Sequence, residues 1–180
     1  MVPIVENKTS REYILSHNCI LTLFVFYTLF ILVGLALSAL GILHEYTFLK
    51  DYPIIIIALF GSFGISLMGS SIFYSRKLYK HSINPDISFP LTEKDKLKQT
   101  GIFMYFFLRP LFSICFALLI ILGFKVSITI ISVKDETLNT GFIYLTMFLS
   151  FFAGFSSGDI LSVLEEIGKR RMEKFFVSHD

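Results

Sequence analysis

Apolar and polar positions along this chain fall into long blocks rather than short alternations. From Asn18 to Leu43 there is no Asp, Glu, Lys or Arg, and the same holds from Tyr52 to Ser75 and from Thr137 to Gly158. Each block exceeds the ~20 residues a helix needs to cross a ~30 Å hydrocarbon core. A fourth block, Gln99 to Phe124, is equally long but holds one charge, Arg109, followed directly by Pro110. The pattern predicts an all-α membrane protein with four spanning helices, over residues 18–43, 53–75, 99–125 and 138–160. The transmembrane domain would cover 18–167, between an N-terminal tail of 1–17 and a basic tail of 168–180.

The block ends carry local signals. Pro53 suits the first turn of the second helix, where its missing N–H costs little. That helix should continue beyond the lipid through Ser75–Lys80, with Tyr79 at headgroup level, until Asn84-Pro85-Asp86 breaks it. Thr92-Glu93-Lys94-Asp95 has approximately the capping-box spacing, which starts the third helix near residue 93, outside the membrane. Val126–Val133 is β-branched and roughly alternating. It suits a short strand or a continuation of the third helix past Lys125. The reading ends that helix between 125 and 133 and leaves the rest of 126–136 open. After Gly158 the fourth helix becomes amphipathic and runs into Lys169, Arg170 and Arg171, so it should extend below the bilayer or along its surface.

Composition agrees with this picture. The chain has 180 residues, 54% hydrophobic, with 21 Phe and no Trp. Its charged fraction is 17%, against about 25% for an ordinary soluble domain. The first block is read as a retained span. Although Ala36-Leu37-Ser38 resembles a cleavage site, the run is long, and Glu6 and Glu12 stand beside Lys8 and Arg11. Lys and Arg set the orientation. Twelve lie in the N-terminal tail, the 76–98 connection and the C-terminal tail, against Lys50, Lys125 and Lys134 on the other side. Both termini are therefore expected in the cytoplasm, with the helical extensions of helices 2, 3 and 4 on that side.

Arg109 is the least expected residue, because a charge inside a span costs at least ~2.5 kcal/mol. Counting from Lys98 it lies roughly 16 Å along its helix, and Asp159 lies roughly 15 Å above Lys169 on the next one. The two opposite charges fall at similar depth, which suggests an Arg109–Asp159 pair on buried faces. The alternative is that Arg109 snorkels to the headgroups and Asp159 is interfacial. Small residues supply a second feature. Ala58, Ser62, Ser66 and Ser70 recur every four residues, and Gly154-Phe-Ser-Ser-Gly158 is a GxxxG pattern. Such ridges let helices approach closely, within one subunit or between subunits. A third is the basic set Lys94, Lys96, Lys98, Lys169, Arg170 and Arg171, suited to anionic lipid or to a cytosolic partner.

Catalytic chemistry finds no footing. The four histidines are scattered, His44-Glu45 lacks a second His at position 48, and no phosphate loop or Cys/His metal spacing occurs. No cofactor is expected. Cys19 and Cys115 read as free apolar thiols. Without interleaved aromatic and basic residues, nucleic acid is not an expected partner.

The segment Phe151-Phe-Ala-Gly-Phe-Ser-Ser-Gly-Asp-Ile-Leu-Ser-Val-Leu-Glu-Glu-Ile167 resembles the tail of small bacterial four-helix membrane proteins. There an Ala-Gly-Phe-Ser stretch leaves the bilayer as an amphipathic helix. Ser157 stands where that pattern carries an acidic residue. The layout is also similar to the membrane subunit of the Kiwa anti-phage defence system. The resemblance implies a homo-oligomer in the bacterial inner membrane that holds a cytosolic effector, and it assigns no functional residue. The resulting expectation is a non-catalytic membrane anchor or sensor. A pore lined by a ring of Arg109 is the main alternative. A carrier would need repeats or broken helices, for which only Pro110 speaks.

Overall fold

The computed structural model describes residues 13–46, 50–83, 87–88, 93–131 and 138–177, with side chains over 15–46, 50–83, 95–128, 138–163 and 166–168. Four long helices dominate: α1 (His17–Ile42), α2 (Ile54–Ile83), α3 (Glu93–Ile131) and α4 (Thr140–Val177). Each is long and apolar enough to cross a bilayer, which makes the chain a multi-pass membrane protein. Their starts follow from local chemistry. The Ser16 hydroxyl accepts from the Cys19 N–H at 3.4 Å to open α1, and Asn139 Oδ1 accepts from the Phe142 N–H at 3.3 Å to open α4. Pro53 immediately precedes α2, and its carbonyl accepts from the Ile56 N–H at 2.9 Å.

Helix α3 continues unbroken through Lys125 to Ile131, so 126–131 is helix rather than strand. Residues 132–137, Asn84-Pro85-Asp86 and Thr92 lie outside the described residues. The sequence pattern did not anticipate one small element. Tyr13–Ile14 (β1) pairs in parallel with Ile87–Ser88 (β2), tying the N-terminal tail to the connection between α2 and α3.

Helix α2 is the centre of the bundle. More than half of its span is buried, whereas α1 and α3 bury under a fifth of theirs. In lipid, apolar surface gives no drive for association, so the helix with small side chains becomes the one that others approach closely. Ala58, Ser62, Ser66 and Ser70 are all fully buried there. A methyl group on Gly64 would stand 2.6 Å from the Gly34 carbonyl oxygen and 2.7 Å from Leu37 Cβ, so α1 packs on bare backbone. On the opposite side Gly154 of α4 rests against the Ser66 carbonyl and hydroxyl, and any Cβ there would collide with both.

Paired contacts fix direction. Gly34 against Gly64 and Gly41 against Gly61 set α1 antiparallel to α2, and Ser66 on Ser113 with Ser70 on Pro110 does the same for α3. Gly61 against Met147 and Gly69 against Phe151 set α4 parallel. The start of α1, the end of α2, the start of α3 and the end of α4 therefore share one end, where ten Lys and Arg of the described helices lie. Two apolar clusters close the interior. Ile57, Ala58, Ile121, Phe142, Ile143 and Met147 fill the far end. Leu15, Leu23, Tyr27, Tyr74, Leu78 and Phe106 fill the basic end.

Candidate functional site

Between those clusters lies a buried polar core organised by Arg109 and Pro110. Pro110 has no N–H, so it cannot return a helical hydrogen bond to the Phe106 carbonyl one turn earlier. A hydroxyl from another helix does so instead: Tyr27 of α1 donates to the Phe106 carbonyl at 2.8 Å. The Pro110 carbonyl in turn accepts from Ser113 Oγ and, at 3.3 Å, from Ser70 Oγ of α2. Ser66 Oγ donates to the Ser113 carbonyl at 2.8 Å, and Ser70 Oγ lies 3.1 Å from Ser113 Oγ. The helix irregularity is thus bound by α1 on one side and by α2 on the other.

Arg109 is 5% exposed. Its NH1 donates to the Gly158 carbonyl of α4 at 3.0 Å and to the Tyr74 hydroxyl of α2 at 3.5 Å. Its guanidinium carbon lies 4.1 Å from the centroid of the Tyr105 ring, a cation–π contact. One planar, delocalised cation therefore links three helices, a task that suits guanidinium better than ammonium.

The expected pair with Asp159 is not formed. Asp159 is exposed, and the guanidinium meets the backbone of the preceding residue, Gly158. The depth count placed the two residues at one level, but it carries no helical phase. A residue step turns a helix by about 100°, and 3.6 residues per turn carry Asp159 onto the outer face while Gly158 faces inward. Snorkelling is likewise not what Arg109 does, since its head group lies inside the helix bundle. Tyr27, Tyr74 and Tyr105 were missed as site residues. The available signal was a mid-helix proline, which leaves the carbonyl one turn earlier in need of a donor, and a tyrosine hydroxyl is long enough to reach it from a neighbouring helix.

The small-residue positions meet as a set. Ser66 and Ser70 face α3, with Gly154 of α4 beside Ser66 and Gly158 against the Tyr74 hydroxyl, while Ala58 joins the far-end cluster. Not every hydroxyl gains from this. The Oγ atoms of Ser62, Ser71 and Ser150 are buried without a hydrogen-bond partner. Of the basic set, Lys96 and Lys98 are exposed on the first turns of α3. The side chains of Lys94, Lys169, Arg170 and Arg171 lie outside those described. Both cysteines are free; Cys19 is half-buried and Cys115 exposed.

The polar boundary at the basic end is stepped. On α2, exposed Arg76 follows Tyr74 by only two residues, roughly 3 Å along the axis. On α3, the apolar side chains reach from Arg109 back to Ile102, seven residues or roughly 10 Å, before Thr100 and Lys98 are exposed. The α1–α3 side of the bundle thus keeps an apolar surface below the arginine, where α2 is already charged.

Fold and site together define a four-helix, multi-pass membrane protein with a buried arginine at a helix junction. No protein-family model, curated protein or solved structure matches the chain.

Proposed function

We infer that the protein is a non-catalytic membrane anchor or sensor. Its helical ends at the basic side recruit a cytosolic partner, with the chain acting as a homo-oligomer in a bacterial inner membrane. The observation that carries this reading is the position of Arg109. It is buried within one protomer and bound to α2 and α4, where it braces the bundle. A charged ring around a pore would instead need it at an open face. The helices α2, α3 and α4 also run on beyond their apolar stretches as continuous helix, which supplies rigid ends for a partner. The resemblance to the Kiwa membrane subunit adds anti-phage defence as the setting.

The test is purification of the tagged full chain from bacterial membranes, followed by subunit counting and reconstitution in liposomes. An oligomer that carries a stoichiometric soluble protein, and leaves the liposomes tight to ions, is the expected result. A chain that purifies alone and conducts ions would replace this reading by the pore.

A further inference from the structure

We propose that residues 13–16 form a releasable strap that closes the basic end of the bundle and couples the α2–α3 connection to the arginine junction. The strap is held in three ways. Its first two residues are β1, paired with β2 of that connection. Leu15 follows and is fully buried, in one cluster with Leu23 and Tyr27 of α1, Tyr74 and Leu78 of α2 and Phe106 of α3. Ser16 comes last. Its hydroxyl accepts from Gln99 Nε2 of α3 at 2.8 Å and from the Cys19 N–H at 3.4 Å.

Among the described residues of that cluster, Leu15 alone lies outside the helices, so it enters and leaves without moving a helix axis. Its neighbours lead directly to the polar core. Tyr27 gives the Phe106 carbonyl the donor that Pro110 cannot, and the Tyr74 hydroxyl accepts from Arg109. The cluster stands between these groups and the basic end. Release of the strap removes a leucine from it and admits water toward the Phe106 carbonyl and the guanidinium. It also takes the Ser16 hydroxyl away from the start of α1 and from Gln99.

The hold is small enough to reverse. Burial of one leucine favours the closed strap by about one to two orders of magnitude, and a two-residue ladder adds little by itself. An open state at about 0.1–10% is the kind of minor population that binding shifts. The strap also has an input. β2 belongs to the α2–α3 connection and Gln99 to the first two turns of α3, so a partner engaging this side acts on the strap at two points. That trigger rests on the recruitment reading; the strap itself does not.

Hydrogen exchange of the full chain in lipid nanodiscs, read on peptides covering residues 106–113, tests the strap with no partner present. Tyr13 and Ile87 stand directly opposite in the ladder. Tyr13→Cys with Ile87→Cys, in a Cys19→Ser, Cys115→Ser background, therefore gives a disulfide lock. Oxidation of the lock should slow exchange in residues 106–113 at least about fivefold against the same protein reduced. Leu15→Ala, without the lock, should speed it at least about tenfold. Ile143→Ala removes comparable buried surface from the far-end cluster and should leave that segment as in the parent. Exchange that ignores oxidation of the lock overturns the proposal, as does a folded Leu15→Ala chain that exchanges like the parent or an equal rise in Ile143→Ala. Should Leu15→Ala not be recovered folded, the lock alone decides.

Discussion

The bond from Tyr27 to the Phe106 carbonyl is the most incisive point at which to test the account of the polar core. Tyr27→Phe keeps the ring, its burial and its place in the basic-end cluster, and deletes one hydroxyl. Because Pro110 cannot serve the Phe106 carbonyl, the acceptor is left in an apolar interior. Leaving a buried acceptor unsatisfied costs ~1–3 kcal/mol in soluble proteins, while side-chain bonds between membrane helices average ~0.6 kcal/mol. The expected cost is therefore about 1 kcal/mol, or about fivefold in the unfolding constant. The decisive comparison is made in a Pro110→Ala background. Alanine restores an N–H that can close the helical bond to Phe106, so the same Tyr27→Phe change should cost under ~0.5 kcal/mol there. Unfolding of the purified protein in mixed micelles by increasing anionic detergent, followed by far-ultraviolet circular dichroism, gives all four values of the cycle. Equal cost in both backgrounds would refute the claim that the hydroxyl compensates for the proline.

Further outcomes follow from the same geometry. Arg109→Lys should destabilise the bundle by about 1–3 kcal/mol in the same micelle assay, since ammonium cannot stack on Tyr105 while reaching Gly158. Asp159→Asn should change stability by less than ~0.5 kcal/mol, and exchanging the charges between positions 109 and 159 should rescue nothing. Gly154→Val should separate α4 from α2, costing upwards of ~2 kcal/mol or preventing recovery of folded protein from membranes. Ser62→Ala should be neutral or slightly stabilising because its hydroxyl has no partner. Ser66→Ala, which loses the bond to Ser113, should cost about 0.5–1 kcal/mol in parallel melts.

Much of the fold was legible because lipid imposes one rule, that the backbone must satisfy itself, and only long apolar helices do so. The blocks around Tyr52–Ser75 and Thr137–Gly158 could be read directly for that reason. Helix ends were legible where a single residue supplies the chemistry, as with Pro53. The site was legible only in part. Arg109 announced itself by its solvent, and its depth could be counted along the chain. Its partner could not, because a count of residues gives height and leaves azimuth undefined. A backbone carbonyl such as that of Gly158 also leaves no mark in a sequence. The parallel pairing of Tyr13–Ile14 with Ile87–Ser88 escaped for a related reason: two residues are too few to show a period.

The stepped boundary at the basic end bears on the bilayer as well as on the protein. A flat leaflet cannot meet apolar surface ~7 Å lower on the α3 side than on the α2 side without a response. The response is some combination of bundle tilt and local thinning of the leaflet beside α2. Either one deforms the lipid around every copy, and neighbouring copies reduce that deformation by sharing it. Elastic cost in the membrane would then draw copies of the chain together and favour patches already thin or curved. Clustering would then respond to bilayer thickness before any protein surface comes into contact.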